Sequence, residues 1–283
     1  MRDSAGHASH EAEVRSGQRF EFGQNWTNSL ARLDESRIGE AVSSLRRMLG
    51  VETLEGLSFL DIGSGLFSLT ARRLGARVHS FDYDPKSVAC TRELWRRFFD
   101  GDPAWTVESG SVLNGAYVDG LGRLDLVYSW GVLHHTGEMW KALAHAESRV
   151  APGGRLFIAI YNDQGGASKR WLTVKRICNR LPRLLRPAFA FVVYLPLEIR
   201  SMLINLVRRE PGVYFRYITN YGVKRGMSWW HDKIDWFGGY TFEVAKPEQI
   251  FDFSRRKGYV LEASVANAGG MASDEYVFRR EPG

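Results

Sequence analysis

The sequence has little cysteine, no apolar segment near its start and no group of residues spaced as metal ligands. Its two cysteines, Cys90 and Cys178, lie far apart, which argues against a disulfide framework and predicts a cytoplasmic protein. The segment 1–18 is polar, so we expect a flexible tail rather than a secretory signal. The apolar run Pro187–Leu197 has eleven residues, whereas a helix needs about 20 to cross a bilayer. No transmembrane segment and no bound metal are therefore expected.

Positive charge is concentrated in one part of the chain. The whole sequence has a net charge of +6, yet Ser168–Gly226 alone contains thirteen Lys or Arg residues against Glu198 and Glu210. Such a segment indicates an anionic partner, such as nucleic acid or phospholipid, or it is the solvated basic face of a helical insertion. Its apolar stretch fits a buried helix, a helix at a membrane surface or, over residues 187–207, a face for homo-oligomers.

Short apolar runs alternate with helix-like segments from Ser58 onward, which is the pattern of βαβ units around a parallel sheet. The runs predicted as strands are Ser58–Ile62, Arg77–Phe81, Ala104–Glu108, Leu124–Trp130, Arg155–Tyr161, Tyr259–Val265 and Glu275–Arg279. The predicted helices are Ser29–Leu49, Ser68–Leu74, Pro85–Phe99, Glu138–Val150 and Pro247–Lys257. The fold class is therefore α/β: a Rossmann-like, mostly parallel sheet with helices on both faces, a C-terminal β-hairpin and a helical insertion after the fifth strand.

The same pattern divides the chain into five segments. They are a tail (1–18), a helical cover (19–57), a cofactor-binding core (58–163), a helical and aromatic insertion (164–240) and the completion of the core (241–283). The insertion is expected on the substrate side.

The strongest motif is Phe59–Gly65, in which Asp61 precedes Gly63 and Gly65 at the end of the first predicted strand. Glycines let the backbone approach a ligand closely, and the start of the next helix attracts an anion. Taken alone, the glycines fit a nicotinamide dinucleotide as well as another nucleoside cofactor. Asp61 would repel a pyrophosphate but attract an ammonium group, so it favours a cationic cofactor.

A second acid, Asp82, lies at the end of the second predicted strand. A carboxylate at this position can accept hydrogen bonds from both hydroxyls of a ribose. Asp84 already provides the cap of the helix that begins at Pro85, which leaves Asp82 available for a ligand.

Five segments occur in order: FLDIGSG, VHSFDYDP, VESGSVLN, LDLVYSWGVLHHTGEMWKAL and VAPGGRLFIAIYN. Together they resemble the core of class I S-adenosylmethionine-dependent methyltransferases of the ubiquinone/menaquinone-methylase-like type, although Phe67 stands where the family usually has a further glycine. The resemblance implies S-adenosylmethionine as cofactor and S-adenosylhomocysteine as its product. It also implies that the N-terminal helical segment closes over the cofactor through Trp26 or Asn25, unless that segment only covers the sheet. The residues that it assigns to the cofactor are Asp61, Gly63 and Gly65 near the methionine end, Asp82 at the ribose, Tyr83, Ser111 and Val112 around the adenine, and Ser129 and Trp130 at the end of the fourth strand.

Methyl transfer needs a nucleophile in line with the methyl group and often a base. His134 and His135 follow the fourth strand, at the edge where open α/β sheets bind ligands, or they only cap the next helix. His231, with Asp232 or Asp235, lies in a tryptophan-rich stretch and forms either an oriented base or a seam between insertion and core. The predicted catalytic residues are His231, His135 and Asp232.

The implied function is methyl transfer to a small-molecule acceptor, with an oxygen of a natural product, glycan or lipid-like compound favoured. The basic insertion keeps an RNA methyltransferase open as an alternative. The missing glycine at Phe67 keeps open a protein that binds S-adenosylmethionine without catalysis. A nicotinamide-dependent dehydrogenase is a more distant alternative.

Overall fold

The structure of the chain is a computed structural model. It describes residues 2–30, 33–63, 65–182, 184–210, 212–213, 215–216, 219, 236–266 and 273–282. Side chains are described from residue 9 onward, apart from those of residues 24, 25, 28 and 29.

Seven strands of the described residues form one sheet. Their bounds are Ser58–Ile62 (β1), Arg77–Asp82 (β2), Trp105–Ser109 (β3), Leu124–Trp130 (β4), Val150–Tyr161 (β5), Tyr259–Val265 (β6) and Ser273–Arg280 (β7). The order across the sheet is β3-β2-β1-β4-β5-β7-β6. Pairs among the first five strands are parallel, whereas β7 runs antiparallel to both β5 and β6. The α/β class, the mostly parallel sheet and the C-terminal hairpin are confirmed.

Helices cover both faces of the sheet. Their bounds are Arg2–Arg15 (α1), Gly23–Leu30 (α2), Glu35–Leu49 (α3), Leu66–Arg73 (α4), Pro85–Phe98 (α5), Gly115–Asp119 (α6), Met139–Ser148 (α7), Gly166–Arg180 (α8), Arg186–Val207 (α9) and Pro247–Arg255 (α10). Because side chains alternate along a strand, β1 feeds two cores. Phe59 packs in a cluster with α3 and α4, and Leu60 packs in a cluster with α7 and α10.

The segment 1–18 differs from the sequence-based expectation. A tail without regular structure was expected, whereas the structure has helix α1 followed by a turn. This helix has almost no amphipathic pattern, so local periodicity gives no sign of it. Its last turns are ordered by tertiary contacts: His10 is 3% exposed, and Glu13 accepts a hydrogen bond from the Tyr83 hydroxyl.

Two other boundaries need correction. The helix predicted over Ser29–Leu49 is two helices, because the Asp34 side chain accepts a hydrogen bond from the Arg37 amide and starts α3 anew. The fifth strand was expected to begin at Arg155, but β5 begins at Val150 and includes Ala151–Gly154. There the pairing of β4 with β5 shifts register between Leu124 and Leu126, so the strand continues through an irregularity rather than starting after it.

The insertion after β5 contains α8 and the long helix α9. One side of α9 packs on α8 and on Phe237, with Tyr194 in edge-to-face contact with the Phe237 ring at 5.4 Å between centroids. By length and composition alone, α9 is the helix among the described residues that meets the requirement for crossing a membrane. The apolar run Pro187–Leu197 gives only half of its length, because the helix has 22 residues.

Candidate functional site

A cavity of about 360 Å³ opens where β1, β2 and β4 end. This is the edge of a parallel sheet at which open α/β folds bind ligands. The strand ends and the loops after them supply Asp61, Gly63, Phe67, Asp82, Tyr83, Ser111, Val112, Tyr128, Trp130 and His135 to its walls. The N-terminal segment supplies His10, Arg19, Phe20, Phe22 and Trp26. Most of these side chains are apolar or aromatic, so the two carboxylates of the strand ends stand out chemically.

Asp61 is held by a chain of buried hydrogen bonds that crosses three strands and a helix. The Trp105 indole donates to the Ser80 hydroxyl at 2.9 Å, and Ser80 donates to the Ser68 hydroxyl at 2.8 Å. Ser68 in turn donates to the Asp61 carboxylate at 2.5 Å. All four side chains are at most 3% exposed. The chain fixes the orientation of the carboxylate, and none of its three donors stands out in the sequence.

Asp82 and Asp84 have different roles. Asp84 starts α5 by accepting a hydrogen bond from the Lys86 amide at 2.8 Å, and it also accepts one from the Gly23 amide at 2.7 Å. Asp82 accepts a hydrogen bond from the Asp84 amide at 2.8 Å and lines the cavity. The expected division between a helix cap and a residue that faces the site is therefore seen.

Burial shifts both cavity carboxyls toward their neutral forms. It raises the pKa of Asp61 to about 7, against which the Ser68 hydrogen bond acts. It also raises the pKa of Asp82 to about 8, with repulsion from Asp84 and Asp61 adding to the effect. A cation or a pair of hydroxyl donors in this cavity would favour the charged carboxylates, because both stabilise negative charge.

The two glycines of the first loop are required by close contacts. At Gly63, which has φ of 116°, an added Cβ would lie 2.2 Å from the Val132 side chain. At Gly65, with φ of 123°, it would lie 2.9 Å from the Trp26 ring. Both conformations are rarely adopted by other residues. Phe67 stacks against Tyr128, with 4.9 Å between ring centroids, and forms a wall of the cavity beside these glycines.

Polar contacts fasten the N-terminal wall, defined here as residues 10–26, to the end of β2. The Arg19 guanidinium donates to Glu13 at 2.7 Å, donates to the His135 carbonyl at 3.2 Å and lies 4.9 Å from the centre of the Tyr83 ring. Tyr83 donates its hydroxyl to Glu13 at 3.0 Å. His10 contacts Tyr83 edge-on at 5.4 Å between centroids. Sequence reasoning identified Trp26 in this wall but missed His10 and Arg19, and the Asn25 side chain lies outside the described residues.

The structure brings most of the predicted cofactor residues together. Asp61, Gly63, Asp82, Tyr83, Ser111, Val112 and Trp130 all line the one cavity. Two stand apart from its lining. Gly65 lies at the start of α4 beneath Trp26, and Ser129 is fully buried with its hydroxyl donating to the Ile62 carbonyl at 3.0 Å.

Of the predicted catalytic residues, His135 lies at the cavity. Its Nδ1 lies 2.5 Å from the Thr241 carbonyl oxygen, which as an acceptor requires a proton on Nδ1. Burial lowers the pKa of His135 to about 3, so the ring is neutral at physiological pH. His134 is fully buried, and its ring lies tilted against Tyr161 with 4.0 Å between centroids. His231, Asp232 and Asp235 lie outside the described residues.

These residues fit a nucleoside cofactor that carries a cationic group. Asp82 presents a carboxylate to ribose hydroxyls, the walls near Tyr83 and Val112 suit an aromatic base, and Asp61 suits an ammonium group. A pyrophosphate would instead meet the carboxylates of Asp61 and Asp82 along the cavity lining. Among the described residues, no group of His, Cys, Asp and Glu side chains has the arrangement of a metal site.

Comparison with known proteins agrees with this geometry. A family model described as a methyltransferase domain matches residues 33–190, more than half of the chain. Ubiquinone biosynthesis O-methyltransferase from Methylobacterium sp. (strain 4-46) is 34% identical over 122 residues. That match covers 41% of this chain and 46% of the relative, so the chain spans less than half of the relative's length.

Two solved structures have a similar fold at low sequence identity. Magnesium protoporphyrin IX methyltransferase (ChlM) from Synechocystis PCC 6803, with bound SAH, has a TM-score of 0.54 at 14% identity, over 92% of this chain and 96% of that chain. N-methyltransferase NodS from Bradyrhizobium japonicum WM9, also in complex with SAH, has a TM-score of 0.50 at 15% identity, over 92% and 98%. With the sheet order, the paired strand-end carboxylates and the family match, the chain belongs to the methyltransferase domain family, in its class I S-adenosylmethionine-dependent form.

Proposed function

We propose that this protein transfers the methyl group of S-adenosylmethionine to an oxygen atom of a small-molecule acceptor, such as a natural product, a glycan or a lipid-like compound. The observation that carries the proposal is a single apolar cavity that holds Asp61 and Asp82 at adjacent strand ends. The name of the Methylobacterium relative, an O-methyltransferase of ubiquinone biosynthesis, supports oxygen as the methylated atom. Cys90 and Cys178 are both free thiols, which supports the expected reducing, cytoplasmic location.

The residues of this chain divide the work of holding the cofactor. Asp82 accepts hydrogen bonds from the ribose hydroxyls, while Tyr83, Ser111 and Val112 surround the adenine. Asp61, oriented by Ser68, attracts the ammonium group of the methionine moiety. When bound, S-adenosylmethionine supplies a methyl group activated by the sulfonium charge. The N-terminal wall excludes water from that group, because the aromatic side chains of Phe22 and Trp26 line the cavity.

His135 is proposed to position the acceptor rather than to take its proton. With Nδ1 donating to Thr241, the ring offers its Nε2 lone pair as a hydrogen-bond acceptor. Its lowered pKa makes it a weak base but keeps it neutral, so it can accept a hydrogen bond from an acceptor hydroxyl at any physiological pH. His231, aided by Asp232, remains the proposed base that takes the hydroxyl proton as the new O–CH₃ bond forms and the S–CH₃ bond breaks.

The insertion, residues 164–240, is proposed as the acceptor side of the site. Its helix α8 reaches the region of His135 through Lys175, which donates to the Trp236 carbonyl and lies 5.1 Å from the Phe242 ring. Phe242 contacts Tyr161 at 5.4 Å, and Tyr161 contacts His135 at 5.4 Å between ring centroids. Because these contacts connect the insertion to His135, a movement of the insertion would displace the side chains beside the acceptor.

The test begins with calorimetric titration of S-adenosylmethionine and S-adenosylhomocysteine into the purified protein. A panel of phenols, catechols, sugars and prenylated phenols is then incubated with S-adenosylmethionine, and S-adenosylhomocysteine formation and the methylated atom are measured. We expect cofactor binding and transfer to at least one hydroxyl compound. Binding without any transfer supports a non-catalytic protein, and transfer that needs added RNA supports the RNA alternative.

Two variants then assign roles. His135→Ala removes the Nε2 acceptor, so we expect a raised KM for the acceptor with little change in kcat or in cofactor binding. His231→Ala removes the proposed base, so we expect a lower kcat with cofactor binding nearly intact. Full turnover in His231→Ala would exclude it as the base.

A further inference from the structure

Helix α9 has one face that the described residues do not cover. Its inner face, which includes Phe189, Ala190 and Val193, packs with Cys178 and Phe237 in a small core. Its outer face includes large apolar side chains that are 42–67% exposed: Val192, Leu195, Ile199, Leu203 and Leu206. At 3.6 residues per turn these positions fall within an arc of about 80°, on a stripe about 21 Å long. An apolar stripe of this length exposed on a monomer marks an interaction surface.

The charges beside this stripe define the partner. Arg200, Arg208 and Arg209 are exposed, and Ser168–Gly226 carries thirteen Lys or Arg residues against Glu198 and Glu210. At the same helical period, Glu198 and Arg200 fall outside the apolar arc. Apolar side chains in a stripe with long basic side chains along its edges and ends are the pattern of helices that lie in the headgroup region of a bilayer.

We propose that the outer face of α9 binds the surface of a membrane that contains anionic phospholipids, with the helix parallel to the membrane plane. The apolar stripe enters the boundary between headgroups and acyl chains, and two arginines contact the phosphates: Arg200 beyond one edge of the stripe and Arg209 beyond its C-terminal end. This inference does not depend on the proposed function, because it concerns a surface away from the cofactor cavity.

Two other arrangements agree less well with the structure. A helix that crossed the bilayer would place Glu198 and Arg200 near the hydrocarbon centre, which is costly. It would also have to leave the contacts of Phe189 and Tyr194 with α8 and Phe237. A second copy of the chain on this face would bring two basic segments together, with like charges opposed across a two-fold axis.

Sedimentation with vesicles tests the proposal on the full chain. Vesicles of phosphatidylcholine with phosphatidylglycerol are compared with vesicles of phosphatidylcholine alone, at low and high salt. We expect binding to the anionic vesicles, weakened by salt and by Arg200→Gln with Arg209→Gln. The double variant Leu195→Gln, Leu203→Gln should reduce binding by about tenfold or more, because two apolar side chains leave the interface.

The matched control is Val260→Gln with Leu261→Gln on β6, whose side chains are 41% and 38% exposed but lie outside the insertion. This control should bind vesicles like the unchanged protein. The leucine double variant of α9 and the β6 control should both keep the melting temperature of the unchanged protein. Three results would each overturn the proposal: no binding to anionic vesicles, equal binding by the α9 variant, or equal loss in the β6 control. A concentration-dependent dimer that the α9 variant abolishes, without vesicle binding, would assign the face to self-association instead.

Discussion

Two regions outside the sheet, the N-terminal wall and the helices of the insertion, are stabilised by different kinds of contact. The N-terminal wall is joined by directed polar contacts, in which Arg19, Glu13 and Tyr83 form a closed set of hydrogen bonds and a cation–π contact. The helices α8 and α9 instead pack on each other in an apolar cluster around Phe237 within the insertion, and one face of α9 is exposed. Directed contacts fix geometry around a small ligand, whereas an apolar face is suited to a broad and less specific partner. The comparison predicts that changes in the first region alter cofactor affinity.

The largest effect is expected at Asp82, the strand-end carboxylate that precedes Tyr83. Asp82→Ala should weaken S-adenosylmethionine binding by about 1–3 kcal/mol, because charge-assisted hydrogen bonds to the ribose are lost. Titration calorimetry measures the change. Asp252→Ala, at an exposed carboxylate on α10 paired with Arg255, serves as the control and should bind normally. Equal affinities of the two variants for S-adenosylmethionine would show that Asp82 does not bind the cofactor.

A pH series sharpens the same comparison. Because the pKa values of Asp61 and Asp82 are raised to about 7 and about 8, both carboxyls are largely protonated in the empty cavity at mildly acidic pH. Ligand binding requires their charged forms, so affinity should rise by about tenfold as the pH passes through these values. In Asp61→Asn the increase in affinity near pH 7 should be absent, while the increase near pH 8 remains. An affinity that does not change with pH in the unchanged protein would contradict this prediction.

The same pKa shifts have the opposite consequence for the empty protein. A carboxyl whose pKa is raised on folding retains a proton that the unfolded chain has lost. The associated stability is fully present below the ordinary value of 3.8 and is lost as the pH rises through about 7 for Asp61 and about 8 for Asp82. Asp61→Asn should therefore melt at a higher temperature than the unchanged protein above pH 8, while it binds cofactor more weakly. Differential scanning calorimetry without ligand checks this result.

A smaller effect is expected within the N-terminal wall. Arg19→Gln removes the ion pair with Glu13 and the contact with Tyr83, so cofactor affinity should fall by about threefold to tenfold. Arg15→Gln at the end of α1 is the matched control, since the Arg15 side chain is 71% exposed and pairs only with Glu11 among the ion pairs of the described residues. If both variants bind alike, the wall contributes cover but no affinity.

The smallest change in cofactor affinity is expected from the series of buried hydrogen bonds that ends at Asp61. Ser80→Ala leaves the Trp105 indole without its acceptor and Ser68 without its donor, so the protein should lose about 1–3 kcal/mol of stability. Cofactor affinity should fall only a few-fold, because Ser68 still donates to Asp61. Urea unfolding and calorimetry measure the two effects, and Ser43→Ala on the exposed side of α3 provides the control.

Local patterns were sufficient for most of the sheet and for the strand-end acids. The strands at 58–62, 124–130 and 259–265 begin and end where the sequence predicts, because each is a short apolar run between turn residues. Asp61 and Asp82 follow from the same runs. Strand alternation also explains why Ser129 turns inward: Tyr128 and Trp130 on either side of it line the cavity.

Features that depend on distant packing were not predictable in this way. The chain from Trp105 to Asp61 joins distant positions of the sequence through two serines, and a serine in an apolar strand carries no sign of its partner. The docking of α1 depends on Tyr83 and Asp84, so nothing within the segment 1–18 itself indicates it. The exposure of α9 likewise requires knowledge of which face its neighbours cover.

The closeness of Trp26 to Gly65 affects the timing of the reaction. The Trp26 ring lies against Gly65, and Trp26, Arg19 and His10 line the cavity, so we expect the wall to act as a gate for the release of the spent cofactor. Gates of this kind often limit turnover more than chemistry does. We therefore expect a rapid burst of one methylation per enzyme molecule, followed by a slower steady rate set by the opening of residues 10–26.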